Sequence, residues 1–169
     1  MKIAIIGYSG SGKSTLAKKL SKHYKIPVLF LDTVNFSPNW DERDRNEGRL
    51  IVSDFMENES WVIDGNYSGF FQQERLNQAD KIIFLNFPRR ICAYRAVKRY
   101  FKYKNTIRED RAKGCREKID LEFICWILYR GRTRDKVKKY NQIKQDFKDK
   151  IVVLKNPKEV TLFLKQLNI

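Results

Sequence analysis

One segment near the N-terminus constrains the fold more than any other: Gly7-Tyr8-Ser9-Gly10-Ser11-Gly12-Lys13-Ser14. It matches the pattern GxxxxGK(S/T) at every fixed position. The pattern has meaning only between a buried strand and a helix, and both are legible here. Lys2–Ile6 is a short apolar run of the kind found in buried parallel strands. After it, Leu16, Ala17, Leu20 and Tyr24 recur at helical spacing from Lys13 to Tyr24. Glycines let such a loop curl so that successive backbone N–H groups face phosphate oxygens. The helix that starts there adds the positive end of its dipole.

The remaining chain repeats the alternation of strand and helix. Apolar runs at Pro27–Leu31, Trp61–Ile63, Ile82–Leu85 and Ile151–Leu154 read as four further short strands. Helices are expected at Arg45–Met56, along Ile91, Tyr94, Val97 and Phe101, over Leu121–Tyr129, along Val137, Tyr140, Ile143 and Phe147, and at the C-terminus. Leu121–Tyr129 is apolar nearly all round, which predicts a buried helix. Five such strands separated by helices predict an α/β fold with a parallel sheet. With 169 residues and neither repeat nor linker, residues 1–169 read as one domain. Residues 33–60 and 104–118 are insertions between core elements, as lids and substrate-binding parts often are.

Composition narrows the class. Hydrophobic residues make up 42% of the chain, enough for a real core. No stretch approaches the roughly 20 apolar residues of a membrane span, and Ile3–Ile6 is too short for a signal-peptide core. The expected location is the cytoplasm, without membrane contact. Cys92, Cys115 and Cys125 form no CxxC pair, which argues against a disulfide framework or a structural zinc site. The formal net charge of +15 is concentrated: residues 89–150 hold 21 Lys/Arg against 8 Asp/Glu. Such a segment faces solvent or meets a polyanion, either a nucleotide phosphate tail or a nucleic acid.

The phosphate loop predicts an ATP site built from Gly7, Ser9, Gly10, Ser11, Gly12, Lys13, Ser14 and Thr15. The Lys13 ammonium reaches β- and γ-phosphates and the Ser14 hydroxyl ligates Mg²⁺. A phosphate-bound Mg²⁺ usually needs an acid at a neighbouring strand tip. Asp64 is the candidate, with a turn or cap aspartate as the alternative. Gly65 after it would allow close approach of the nucleotide. Asp32 closes the second strand, where parallel sheets place their ligand crevice. It is read either as a turn residue or as the acid that orients and deprotonates an acceptor hydroxyl. Arg108 and Arg111 lie three apart in the basic insertion and would share a helix face as a clamp on the γ-phosphate. Arg89, Arg95 and Arg99 compete for that role. Asn156, after the fifth strand, would border the nucleotide base.

GYSGSGKST, Asp32 and Asp64-Gly65 together resemble the adenylate/shikimate/gluconate kinase group of P-loop proteins. A narrower resemblance covers nearly the whole chain. Pro38-Asn39-Trp40, Trp61-Val62-Ile63-Asp64-Gly65-Asn66-Tyr67, Phe87-Pro88-Arg89-Arg90, Gly114-Cys115-Arg116-Glu117, Phe123 and Trp126 are similar to the bacterial DNA topology modulation family, related to the FlaR proteins. The resemblance implies a nucleoside-kinase-like three-layer fold, with a five-stranded parallel sheet of order 2-3-1-4-5, helices on both faces and a lid near 104–118. The family name implies an effect on DNA supercoiling.

One departure matters. Adenylate kinases continue from the aspartate-glycine pair with proline and an arginine that holds the acceptor phosphate, whereas Asn66-Tyr67 stands here. They also usually lack an acid equivalent to Asp32. An anionic phosphate acceptor needs no base and a hydroxyl benefits from one, so hydroxyl phosphorylation is favoured. Arg43, Arg45 and Arg49 are the residues available to replace the missing arginine.

Trp40 either stacks on an acceptor ring or caps the inserted helix. Cys115 and His23 have ordinary structural explanations. Arg99-Tyr100-Phe101-Lys102-Tyr103-Lys104 interleaves aromatics with cations as single-strand binders do, with Phe101 expected to continue the core stripe from Val97. Two function classes follow. One is a kinase using Mg·ATP and a small-molecule acceptor. The other is an ATP-responsive protein that binds nucleic acid through residues 89–150.

Overall fold

The computed structural model describes residues 1–37, 41–103 and 120–169. Five strands form one parallel sheet: β1 (Lys2–Gly7), β2 (Val28–Phe30), β3 (Trp61–Asp64), β4 (Lys81–Leu85) and β5 (Ile151–Leu154). Their spatial order is β2-β3-β1-β4-β5, as the resemblance implied. Ile5 stands opposite Asp64 of β3 and Ile83 of β4, so β1 is the central strand. Nearly every residue of β1, β3 and β4 is buried on both sides of the pleat. That pattern requires helices over both faces of the sheet.

The described residues contain eight α-helices. They are α1 (Lys13–Tyr24), α2 (Leu31–Asn35), α3 (Arg45–Met56), α4 (Gln72–Gln78), α5 (Arg89–Tyr103), α6 (Leu121–Leu128), α7 (Arg134–Asp146) and α8 (Pro157–Gln166). The bounds of α1 and α3 coincide with those expected from spacing. Asp44 caps α3 by accepting from the backbone N–H of Asn46 and Glu47. No helix among the described residues is long and apolar enough to cross a membrane.

Four expectations need correction. The second strand stops at Phe30, so Asp32 lies on the first turn of α2 and not at a strand tip. Helix α4 is additional to the expected elements, and its N-cap, Phe71, takes a left-handed conformation (φ 50°). The stripe Tyr94–Val97–Phe101 on α5 faces outward, Phe101 being 71% exposed, while Cys92 and Ala96 are buried. The reason is proximity: the Cys92 backbone abuts the phosphate loop, and a helix so close to another backbone turns its small residues inward. Finally, α6 is not a buried helix. Leu121 is 86% exposed, Trp126 and Tyr129 are exposed, and Ile127 is its one fully buried residue.

Candidate active site

The phosphate loop links β1 to α1. Its second residue, Tyr8, is an anchor: the ring is buried against Phe84 and edge-on to Tyr140, with the Arg132 guanidinium 3.5 Å from its centroid. Burial pushes the Tyr8 and Tyr140 phenols up, against the nearby Arg132 cation. Gly10 and Gly12 both require φ > 0, at 80° and 98°. A Cβ on Gly10 would stand 2.5 Å from the Cys92 carbonyl oxygen, and one on Gly12 would stand 2.6 Å from the Arg95 guanidinium. Gly12 then serves as the N-cap of α1, whose first turn carries Lys13, Ser14 and Thr15. The Lys13 ammonium rests on the Tyr8 carbonyl at 3.4 Å.

These residues open onto a cleft of about 1430 Å³. Tyr8, Ser9, Gly10, Gly12, Lys13, Ser14 and Thr15 line it. Gly7 and Ser11 lie beneath the loop's surface, Ser11 being buried. Asp64 ends β3, is 5% exposed and lines the same cleft. Gly65 lines the cleft beside Asp64, and a Cβ there would also meet the Leu31 side chain at 2.7 Å, so this glycine permits the packing of β3 against α2 as well. Ser14 and Asp64 offer hard oxygen donors, which suits Mg²⁺. No group of three or more potential metal-ligating His, Cys, Asp or Glu side chains exists among the described residues. A cation here would therefore share its shell with phosphate oxygens and water, as Mg²⁺ commonly does.

The opposite end of the cleft is assembled from distant segments. Asp32, Asn35 and Phe36 come from α2 and its C-cap, Arg45 from α3, and Tyr67 from the loop after β3. The Tyr67 hydroxyl donates to Asp32 Oδ1 at 2.9 Å. Of the three arginines of the 33–60 insertion, only Arg45 lines the cleft. Arg43 donates to the Val34 carbonyl and pairs with Glu47, and Arg49 covers the Phe71 ring at 4.7 Å.

Compared by sequence, the chain matches no family profile and no curated protein. Compared by structure, it superposes on a shikimate kinase from Bacteroides thetaiotaomicron, at a TM-score of 0.50 and 18% identity. That match spans 100% of this chain and 99% of the other. An uncharacterized protein from Eubacterium ventriosum ATCC 27560 matches at a TM-score of 0.50 and 16% identity, over 99% of this chain and 97% of its own. The fold is that of a P-loop kinase.

Set on this P-loop fold, the residues singled out from sequence separate into three groups. Ser9, Gly10, Gly12, Lys13, Ser14 and Thr15 converge with Asp64 and Asp32 on one cleft, with Gly7 and Ser11 beneath its surface. Asn156 is not among the cleft-lining residues. It caps α8, accepting from Glu159 N–H at 3.0 Å while its amide donates to the Glu159 carboxylate at 2.7 Å. Arg108, Arg111, Cys115 and Trp40 lie outside the described residues. Among the competing arginines, Arg95 and Arg99 line the cleft and Arg89 does not.

Three further residues escaped the sequence reading. Asn66 makes two bonds to Gly7, its Oδ1 accepting from the backbone N–H at 3.0 Å and its Nδ2 donating to the carbonyl at 2.7 Å. Arg132 donates to the Phe87 carbonyl at 2.7 Å and to Cys92 Sγ at 3.3 Å. Burial pushes the Cys92 thiol up, so it stays protonated at neutral pH despite that arginine. Arg75 is fully buried, and burial pushes its pKa down to about 10, opposed by Glu74 and Asp64; it remains cationic at neutral pH. A signal for Asn66 existed in its place directly after Asp64-Gly65. Arg75 had none, since a basic residue in a polar helix reads as surface.

Proposed function

We propose that this chain is a single-domain, ATP- and Mg²⁺-dependent phosphotransferase that moves the γ-phosphoryl group of ATP to a hydroxyl of a small-molecule acceptor. The observation that carries the reading is the shared cleft: phosphate loop and Asp64 on β1 and β3, Asp32 held by Tyr67 beyond them. Asp32 follows a strand two places from β1, roughly 10 Å away by strand spacing. That leaves room between them for a terminal phosphate and an attacking hydroxyl.

In this reading the loop amides and Lys13 hold the phosphate tail and balance its charge. Ser14 and Asp64 would hold Mg²⁺, which when bound screens the phosphate oxygens. Asp32 orients the acceptor hydroxyl and takes its proton as the oxygen attacks the γ-phosphorus. The new P–O bond forms as the β,γ-bridging bond breaks, and ADP leaves with the bridging oxygen. Arg95, against Gly12 and in the cleft, is placed to meet charge on the transferring group, a role proposed also for Arg108 and Arg111. Among the described residues, the insertion brings no arginine cluster of the kind a phosphate acceptor would need to this end. Arg45 is the only arginine of the insertion in the cleft, beside Asp32 and Glu42.

The test is Mg-dependent ADP release across a panel of nucleosides, nucleoside monophosphates, hydroxylated metabolites and 5′-hydroxyl oligonucleotides. Lys13→Ala is expected to lower acceptor-stimulated turnover by about 10³-fold or more. Unchanged turnover in that variant would sink the mechanism.

A second reading rests on a different observation. Tyr94, Phe101, Trp126 and Tyr129 are exposed on α5 and α6, with Lys98 and Lys102 on α5 and Lys136 3.8 Å from the Trp126 ring. Exposed aromatics among cations suit stacked bases and a phosphate backbone. This reading is the one compatible with a DNA topology modulation family. It requires oligonucleotide binding that weakens steeply with salt.

A further inference from the structure

The loop between β3 and α4, Gly65 to Phe71, touches both ends of the cleft. Asn66 clasps Gly7, the first residue of the phosphate loop, through both atoms of its amide. Its neighbour Tyr67 holds Asp32. These two adjacent residues therefore reach partners 59 and 35 positions away in the chain.

The loop that carries them is pinned from behind. Arg75, fully buried on α4, donates to three of its carbonyls: Phe70 at 2.8 Å, Gly65 at 3.3 Å and Tyr67 at 2.9 Å. Gln72 donates to a fourth, that of Asn66, at 3.1 Å. Among the described residues the Arg75 guanidinium forms no ion pair within salt-bridge distance. Its charge is satisfied by the loop's backbone. A buried cation held this way is costly to strand, so the loop cannot shift one carbonyl without exposing that cost.

We propose that Arg75 is a positioning residue that makes Gly65–Phe71 a rigid coupler, so that filling the phosphate loop fixes Asp32 for the acceptor. The coupling would run from Gly7 through Asn66, along the pinned backbone, to Tyr67 and Asp32. This rests on the phosphotransferase reading for its purpose, since Asp32 is there the acceptor's base. It adds an order to that reading: nucleotide binding prepares the acceptor end, and acceptor binding tightens nucleotide by the same factor.

Amide hydrogen exchange on the full chain, with and without Mg·ADP, tests it. In the native protein Mg·ADP is expected to slow exchange at residues 7–14 and also at residues 28–36. Asn66→Ala at saturating Mg·ADP should keep the first protection and lose the second, with roughly tenfold weaker ADP binding from two lost hydrogen bonds. Tyr67→Phe should lose the second protection while ADP affinity is unchanged. Arg75→Lys should behave as Asn66→Ala, because one ammonium cannot reproduce a fork that spans three carbonyls. If Arg75→Lys does not fold, the Asn66 and Tyr67 variants decide alone.

Protection at 28–36 that is absent in the native protein, or that survives in both of those variants, overturns the coupling. Failure of the native protein to bind Mg·ADP would instead overturn the phosphotransferase reading. The coupling would then be judged without ligand: faster exchange at 28–36 in Asn66→Ala supports it, and unchanged exchange there overturns it.

Discussion

The two ends of the cleft are built in opposite ways. The nucleotide end is nearly contiguous: Gly7 to Thr15 form a strand end, a loop and a helix start, and the loop's shape follows from its own glycines. The end proposed for the acceptor draws Asp32, Arg45 and Tyr67 from three separate segments. A contiguous motif carries its geometry in local backbone preferences. A dispersed one borrows its geometry from strand order and from side chains such as Asn66 and Arg75 that tie loops together. The first kind can be read from a sequence and the second cannot, although both line one cleft.

The sharpest separation of the two ends is expected from Asp32→Asn. Removing the base should lower acceptor-dependent kcat by about 10²–10⁴-fold, with Mg·ADP affinity changed by no more than about twofold. A matching loss of ADP affinity would place Asp32 in nucleotide binding itself, beyond any coupling through Gly65–Phe71. Gly10→Ala attacks the contiguous end through its backbone. With φ at 80° and a Cβ 2.5 Å from the Cys92 carbonyl oxygen, either the loop or α5 must move. Urea unfolding should show a loss of about 1–3 kcal/mol, together with weaker ADP binding. A variant of native stability would mean that α5 yields easily and the loop is less constrained than its contacts indicate. The smallest effect is expected from Asn156→Ala, which removes the α8 cap for about 1 kcal/mol. Nucleotide affinity should not change, and a fall in it would extend the nucleotide end to the residue after β5.

Much of the fold was legible because it rests on periodicity. Helices Lys13–Tyr24 and Arg45–Met56 follow their apolar spacing, and all five strands are short apolar runs. The errors share a cause. The α5 stripe was read from spacing as Ile91, Tyr94, Val97 and Phe101, and of these only Ile91 packs against the core. The contact with the phosphate loop instead selected Cys92 and Ala96, because close backbone approach rewards small side chains. Helix α6 was assigned by hydropathy, and hydropathy does not say whether a neighbouring element covers the surface.

At the site itself, Lys13, Ser14 and Asp64 line the cleft where motif and strand position put them, whereas Asp32 lines it from α2 and not from a strand end. Sequence alone determined that this chain has a P-loop between a buried strand and a helix, since φ > 0 at glycines and helical periodicity are local properties. Only the tertiary structure decided what stands across from that loop. It bonded Asn66 to Gly7 and Tyr67 to Asp32, buried Arg75 beneath both, and assigned Asn156 to a helix cap. The physical reason is that hydrogen bonds and burial depend on which segments meet in space. In a parallel sheet that meeting is set by strand order, which no window of neighbouring residues contains.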